Sequence, residues 1–384
     1  MKTAKNRNII YLAGFLFSIA LALTSYINSS FLKVFINDYS IGIMYVIASL
    51  LSILVMFWVP DILNKWGNRK LAFFFSVVSL LSFLLLAFSK NVYVVIPSFI
   101  INLISLNFVV ASLDIFMEDF SKSSAMGKFR GMYLMFTSLA WVIAQSISGS
   151  IISKSSFTGI YLMSAMFMAL TAFMFVLFLK EFKDPHYKKI PILKTIKYFV
   201  QNKNISKIYL IDLLLKFFFV WMVVYTPIYL HENLAFDWDK IGLIFTIMLT
   251  PFVFLSYPLG KLSDKIGERS MLIFGFIVTT LATSLIPFIK ESNFWIWAMI
   301  LFFTRVGAAT IQIMTESYFF KSVHEENADA ISFFRNTSPV SYVIAPLFAT
   351  FVLLFVPSFQ YIFYVLAAIM LLGIYLTLKI RDIK

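Results

Sequence analysis

An all-α membrane protein with twelve transmembrane helices in two pseudo-symmetric six-helix bundles is the fold class that this 384-residue sequence predicts. Three observations predict it. The chain is 60% hydrophobic and only 13% charged, with a mean hydropathy of +0.87, and a water-soluble protein of this length could not hide that much apolar surface. A charged ten-residue turn occurs twice, 200 residues apart. Lysine and arginine collect on alternate loops.

A hydrocarbon core of about 30 Å takes about 20 apolar residues of helix per crossing. That ruler places spans near 9–31, 39–59, 71–89, 92–113, 131–152 and 158–179, then near 208–230, 240–259, 270–289, 294–316, 331–355 and 359–378. The start carries Lys2, Lys5 and Arg7 ahead of an apolar run that reaches about Phe31 without a small-x-small cleavage site, so it reads as the first span. With both termini cytoplasmic, the inner segments hold 25 lysines and arginines, and the outer loops hold 5: Lys33, Lys90, Lys154, Lys240 and Lys290. A bias of this sense sets orientation and predicts an integral protein of the cytoplasmic (inner) membrane, surrounded by lipid bilayer. It also accounts for the net charge of +13 without a nucleic-acid partner. A monomer is expected.

The connection Lys180–Lys207 holds eight lysines together with Pro185 and Pro191. It divides the chain into an N-terminal six-helix half (1–180), a cytoplasmic linker (181–207) and a C-terminal six-helix half (208–384). Within the linker, Ile192–Val200 reads either as a helix at the membrane surface with its lysines on anionic lipid, or as a solvated stretch whose charge only sets orientation.

Composition also excludes chemistry. The absence of cysteine rules out disulfides, thiolate metal sites and a cysteine nucleophile. His186, His231 and His324 fall in predicted loops, which leaves little for buried metal or acid–base work. The expectation is no enzyme, no cofactor and no metal.

The repeated turn is Gly260–Arg269, read against Pro60–Arg69. Lys65, Gly67 and Arg69 fall on Lys265, Gly267 and Arg269. A second match sets Trp141-Val-Ile-Ala-Gln145 on Tyr342-Val-Ile-Ala-Pro346, at an offset of 201. Parallel six-span repeats are the pattern of transporters built around a central site.

Gly260-x-Leu262-x-Asp264-x-x-Gly267-x-Arg269, between the eighth and ninth spans, resembles the signature loop of the major facilitator superfamily. The resemblance covers essentially the whole chain. It implies a secondary transporter that moves a small solute by alternating access, with coupling to a proton or another ion left open. Two departures stand out. The first copy of the loop has Pro60 where glycine is usual and Asn64 where an acid is usual. The span-5 signature of drug antiporters is represented only by Ala144-Gln145-x-x-Ser148-Gly149.

Each loop position has a chemical use. Gly260 and Gly267 permit a tight turn and close helix approach, and Asp264 can cap a helix N-terminus. The resemblance implies contact with the inner end of span 5, near Arg130 and Gly131. Lys265 and Arg269 would then face Asp114 and Glu118. In the first half, Gly67 makes the turn, Asn64 can still cap, and Lys65 and Arg69 would meet Glu316 or Asp329 with Arg335 nearby. The cluster reads as an inner gate that is stronger on the second-half side, against a short loop whose charges only obey topology.

Ionisable groups inside a span usually face a cavity or a partner. Lys216 lies about 14 Å into the seventh span, and Arg305 lies about halfway along the tenth. The resemblance puts spans 1, 4, 7 and 10 on the central cavity, where two cations suit the carboxylate or phosphate of an organic anion. Asp212, one turn before Lys216, either neutralises it or serves as the coupling acid. Thr24, Ser25, Asn28, Asn102, Asn107, Gln145 and Gln312, with the aromatic pair Trp221 and Tyr225, either line the cavity or join helices. Export of hydrophobic or cationic compounds, and a transporter-like sensor or scaffold without flux, are the rival functions.

Overall fold

In a hydrocarbon solvent each backbone amide must find its partner inside the protein, so a chain this apolar either coils into helices or closes a barrel. Here it coils. The computed structural model describes residues 2–56, 58–120, 126–179, 184, 192–255, 258–259, 262, 265–322 and 333–381. The side chains of 2–7, 56, 118–120, 126–131 and 192–193 are not among the described parts. Nearly all of these residues are helical, and no strand occurs among them. The chain divides into two packed units, residues 1–189 with 237–242, and residues 190–236 with 243–384.

The first unit opens with α1 (Lys2–Ser25), which breaks and resumes as α2 (Asn28–Lys33). The break has a local cause. Thr24 and Ser25 both turn their hydroxyls back onto the Leu21 carbonyl, at 3.2 and 2.7 Å, a competition that loosens a helix. There follow α3 (Asp38–Met56), α4 (Val59–Trp66), α5 (Asn68–Phe88), α6 (Val92–Phe120) and α7 (Met126–Phe178). Ser156, at φ 54° and ψ −162°, interrupts α7. A Cβ placed on Gly159 would come within 3.0 Å of Ile151 Cγ2, whereas a straight helix holds residues eight apart at about 12 Å. The chain therefore folds back there. The core of the unit sets Ile19, Ala22 and Leu23 of α1 against Ala140, Ala144, Ile152 and Ile160 of α7. Gly149 serves a close approach: a Cβ there would stand 2.3 Å from the Trp238 carbonyl oxygen, and Ser153 beside it donates to Asp239 Oδ2 at 2.8 Å.

The second unit begins with α8 (Ile192–Gln201), at the linker position where a helix was one of the two expectations. Phe199 anchors it by packing on Tyr209 and Phe333, at ring distances of 5.6 and 4.8 Å. Next come α9 (Lys203–Ile228), which ends in a π turn at Tyr229–Asn233, and α10 (Trp238–Phe254), whose residues up to 242 belong to the first unit. His231 belongs to that turn and not to a loop, with Nδ1 3.0 Å from the Phe236 carbonyl oxygen. His186 and His324 lie outside the described residues. The unit closes with α11 (Glu268–Leu285), α12 (Phe294–Ser322), α13 (Thr337–Leu353) and α14 (Ile362–Leu378).

Ten helices among the described residues are long and apolar enough to cross a membrane. The remaining two positions of the expected twelve correspond to the fold-back inside the 47-residue stretch Met132–Phe178 and to the 17-residue α10.

Helices α11 and α12 meet through small residues, the usual way for membrane helices to gain contact area. A Cβ on Gly307 would stand 2.2 Å from Thr279 Oγ1 and 2.5 Å from the Gly275 carbonyl oxygen. Gly307→Val is expected to destabilise the protein by about 1–3 kcal/mol through overpacking, read as a lower melting midpoint in detergent. An unchanged midpoint would refute this close approach.

Candidate functional site

The two copies of the charged turn share a backbone geometry. Gly67 sits at φ 77°, ψ 154° and Gly267 at φ 91°, ψ 148°, and each starts a helix, α5 and α11 respectively. Positive φ is nearly free for glycine and strained for other residues, which accounts for its presence in both copies.

The arginine two residues later has the same task in each unit. Arg69 donates from Nε to the Phe175 carbonyl at 3.0 Å and from Nη2 to the Val176 carbonyl at 2.8 Å. Arg269 donates from Nη2 to the Leu378 carbonyl at 2.7 Å. These carbonyls belong to the last turns of α7 and α14, where a helix has no intrahelical donors left and its dipole is negative. Each arginine therefore caps the final helix of its own unit.

The residue between glycine and arginine joins neighbouring helices. Asn68 Nδ2 donates to the Ser112 carbonyl on α6 at 3.0 Å. Its counterpart Glu268, only 1% exposed, accepts from Lys321 Nζ at 2.6 Å and from Ser317 Oγ at 3.0 Å, both on α12. The N-terminus of α5 is capped from the linker, by Asp184 Oδ1 accepting from the Asn68 amide at 2.6 Å. Asn64, expected as a cap, instead lies exposed inside α4.

Of the other gating candidates, Gly260 and Asp264 lie outside the described residues, as does Asp329, and the side chains of Glu118, Arg130 and Gly131 are not described. Asp114, Glu316 and Arg335 are half-buried, on α6, on α12 and just before α13, and Lys265 is exposed.

Within the second unit the two intramembrane cations converge on one aromatic ring. Arg305, 1% exposed, has its guanidinium carbon 5.3 Å from the centre of the Phe218 ring and 5.4 Å from that of Phe219. Lys216 Nζ lies 5.7 Å from the same Phe219 ring. The electron-rich ring faces partly offset the desolvation of the cations. Among the described residues no carboxylate comes within 4.0 Å of Lys216. Asp212, 2% exposed, accepts from the Thr337 hydroxyl and so ties α9 to α13. An Asp212–Lys216 ion pair is not formed.

Trp221 and Tyr225 are fully buried with ring centres 5.9 Å apart at a tilt of 59°, and Phe217 and Phe348 lie against Trp221 at 5.4 and 6.3 Å. Trp221 Nε1 has no hydrogen-bond partner among the described residues. Gln312 is half-buried on α12.

Four polar side chains of the first unit are committed to neighbouring helices. Gln145 Nε2 donates to the Ala22 carbonyl at 2.6 Å, and Asn28 Oδ1 accepts from the Tyr161 hydroxyl at 2.9 Å. Asn102 Nδ2 donates to the Ser79 carbonyl and hydroxyl at 3.2 and 3.0 Å, and Asn107 Nδ2 to Ser52 Oγ at 3.2 Å. These four side chains act as helix-joining groups. They are not a free ligand set.

The sequence profile of the Major Facilitator Superfamily matches residues 9–240 and again 217–383. The chain belongs to the major facilitator superfamily. Solved superfamily structures share its fold. A nucleoside transporter, NupG, superposes with a TM-score of 0.77 at 11% identity, covering 97% of this chain and 98% of its own. A POT family transporter in complex with a thioalcohol-conjugated peptide superposes at 0.80 with 12% identity, covering 97% and 94%. No curated protein matches the chain in sequence.

Several functional contacts had no sequence signal strong enough to be read. Phe219 follows Lys216 by three residues, a helical-face spacing hidden among 45 phenylalanines. Glu268 was recoverable, because it stands 200 residues after Asn68, at the repeat offset. Asp184 had no periodic counterpart.

Two substitutions probe the caps. Arg69→Met, by leaving the Phe175 and Val176 carbonyls without their donor, is expected to lower stability by about 1–3 kcal/mol. Glu268→Gln is expected to destabilise by about 1–2 kcal/mol, because Lys321 is partly solvated and the loss is discounted accordingly. Both are read as melting midpoints in detergent. No shift in either variant would remove the capping and pairing roles.

Proposed function

We propose that this protein is a secondary transporter that moves a small organic anion across the cytoplasmic membrane by alternating access. One observation carries the reading: Lys216 and Arg305 stand over the same Phe219 ring, within one unit and at intramembrane positions. Two cations held in a low-dielectric setting repel each other, and a bound carboxylate or phosphate would relieve that repulsion while accepting hydrogen bonds from both. The buried aromatic group of Trp221 and Tyr225 supplies an apolar surface for the rest of the solute, with the Trp221 indole N–H as a donor. Export of hydrophobic cations is the weaker reading, because Asp212, the acid it would draw on, is engaged by Thr337.

In this reading the arginines of the repeated turns hold helix ends, and the gating charge is left to Lys65 and Lys265, with the neutral Asn64 beside Lys65; all three are exposed. Asp212 is the candidate acid for coupling to a proton or another ion, with the Thr337 hydroxyl as its resting partner.

The solved neighbours suggest the assay. A peptide carries a free carboxylate and a nucleoside does not. Purified protein in proteoliposomes should take up or exchange a carboxylate-bearing solute, such as a short peptide or an organic acid, in preference to its amidated form. Arg305→Gln and Lys216→Gln should each reduce that flux by about tenfold or more, with melting midpoints near that of the wild type. Full flux in both variants, or equal flux of the amidated solute, would sink the anion reading.

A further inference from the structure

At one end of the second unit, a cavity of about 810 Å³ opens between the N-terminus of α9 and the last turns of α12 and α14. Five cations line it: Lys203, Lys207, Lys321, Lys379 and Arg381. Like charges gathered in one recess repel each other, so their internal partners decide whether the site is already neutralised.

Among the described residues it is not. Glu268 is engaged by Lys321 at 2.6 Å. Among the described residues, no carboxylate comes within 4.0 Å of Lys203, Lys207, Lys379 or Arg381. Lys207 donates to the Lys379 carbonyl, which uses one of its three donors. The Lys379 ammonium lies over the Tyr375 ring, 3.9 Å from its centre. These contacts position the cations without cancelling their charge.

A second observation is independent of the lysines. The N-terminus of α9 opens into the same cavity through Lys203, Asn204 and Ile205. The Asn202 side chain does not cap it, because its amide donates back to the Tyr198 carbonyl at 2.8 Å. The first helical amides and the positive end of the helix dipole are therefore available to an anion.

We propose that this cavity is a binding site for a phosphate-bearing anion. Phosphate oxygens accept from lysine, arginine and backbone amides together, and the recess is large enough for a headgroup bearing one or more phosphates. The phosphate can come from the headgroup of an anionic phospholipid or from a soluble phosphate compound. The first source is favoured by position. Helix ends meet lipid headgroups at a bilayer surface, and the adjoining α8 exposes Lys194 and Lys197 while burying Phe199, the arrangement of a helix lying in that interface. This inference does not depend on the transport reading, since neither Lys216 nor Arg305 lines the cavity and its test needs no flux.

The test is a thermal titration of the full-length protein in neutral detergent with three probes: short-chain phosphatidylglycerol, phosphatidylcholine of the same chain length, and inorganic pyrophosphate. A ligand that binds the folded state raises its melting midpoint. A saturable rise with phosphatidylglycerol beyond that with phosphatidylcholine identifies a lipid headgroup, and a rise with pyrophosphate alone identifies a soluble phosphate; both support the site. The triple variant Lys203→Gln, Lys207→Gln, Arg381→Gln should then need about 100-fold more ligand, and each single substitution about fivefold more. The single variants decide the matter should the triple variant not fold. Lys203→Arg should retain the wild-type response. The proposal is overturned if neither phosphate probe exceeds phosphatidylcholine, or if the glutamine variants respond as the wild type does.

Discussion

A helix in hydrocarbon satisfies its own backbone except at its ends, and there the last carbonyls need donors from somewhere. In each unit of this protein an arginine from the turn before the third span supplies them. Arg69 reaches Phe175 and Val176, and Arg269 reaches Leu378. The contact closes each unit by tying a turn early in it to its final helix. Much else follows from that closure. The preceding glycine must hold a positive φ so that the arginine points back, and the residue between them, Asn68 or Glu268, is thereby set against the next helix.

The second unit is the electrically active one. Its spans hold Asp212, Lys216 and Arg305, whereas in the first unit Asn28, Asn102, Asn107 and Gln145 are bonded to neighbouring helices. Buried amides and hydroxyls of that kind join helices at modest energy. Buried cations are different, since desolvation makes them expensive unless something recurrently compensates them. Phe219 offers part of that compensation to both cations at once, which is a softer arrangement than an ion pair.

The fold was legible because it rests on coarse quantities: hydropathy over 20-residue windows, charge bias between loops, and a 200-residue offset. The site was legible only in part. Lys216 and Arg305 stood out because charge is rare inside spans, and Gly67, Gly267 and the two arginines stood out because they repeat. Their partners did not. Backbone carbonyls such as those of Phe175 and Leu378 carry no residue-type signal, so a helix cap that accepts at the main chain cannot be read from side chains. Polar residues in spans were equally ambiguous. Gln145, Asn28, Asn102 and Asn107 have the composition of a binding site and the geometry of helix joints, and only the positions of Ala22, Tyr161, Ser79 and Ser52 separate the two. Thr337, which draws Asp212 away from Lys216, lies 125 residues from it in the chain.

The unequal wear of the two turns has a history written into it. If the halves descend from one ancestral segment by duplication, each copy was afterwards free to drift except where its own bundle would come apart. The positions still shared include the glycine with positive φ and the arginine on the terminal carbonyls, both of which act inside a single half. Pro60 against Gly260 and Asn64 against Asp264 are positions where the copies parted. What a duplicated machine keeps in both copies is what each copy needs in order to stand alone, and its specialisation is to be sought where they have diverged.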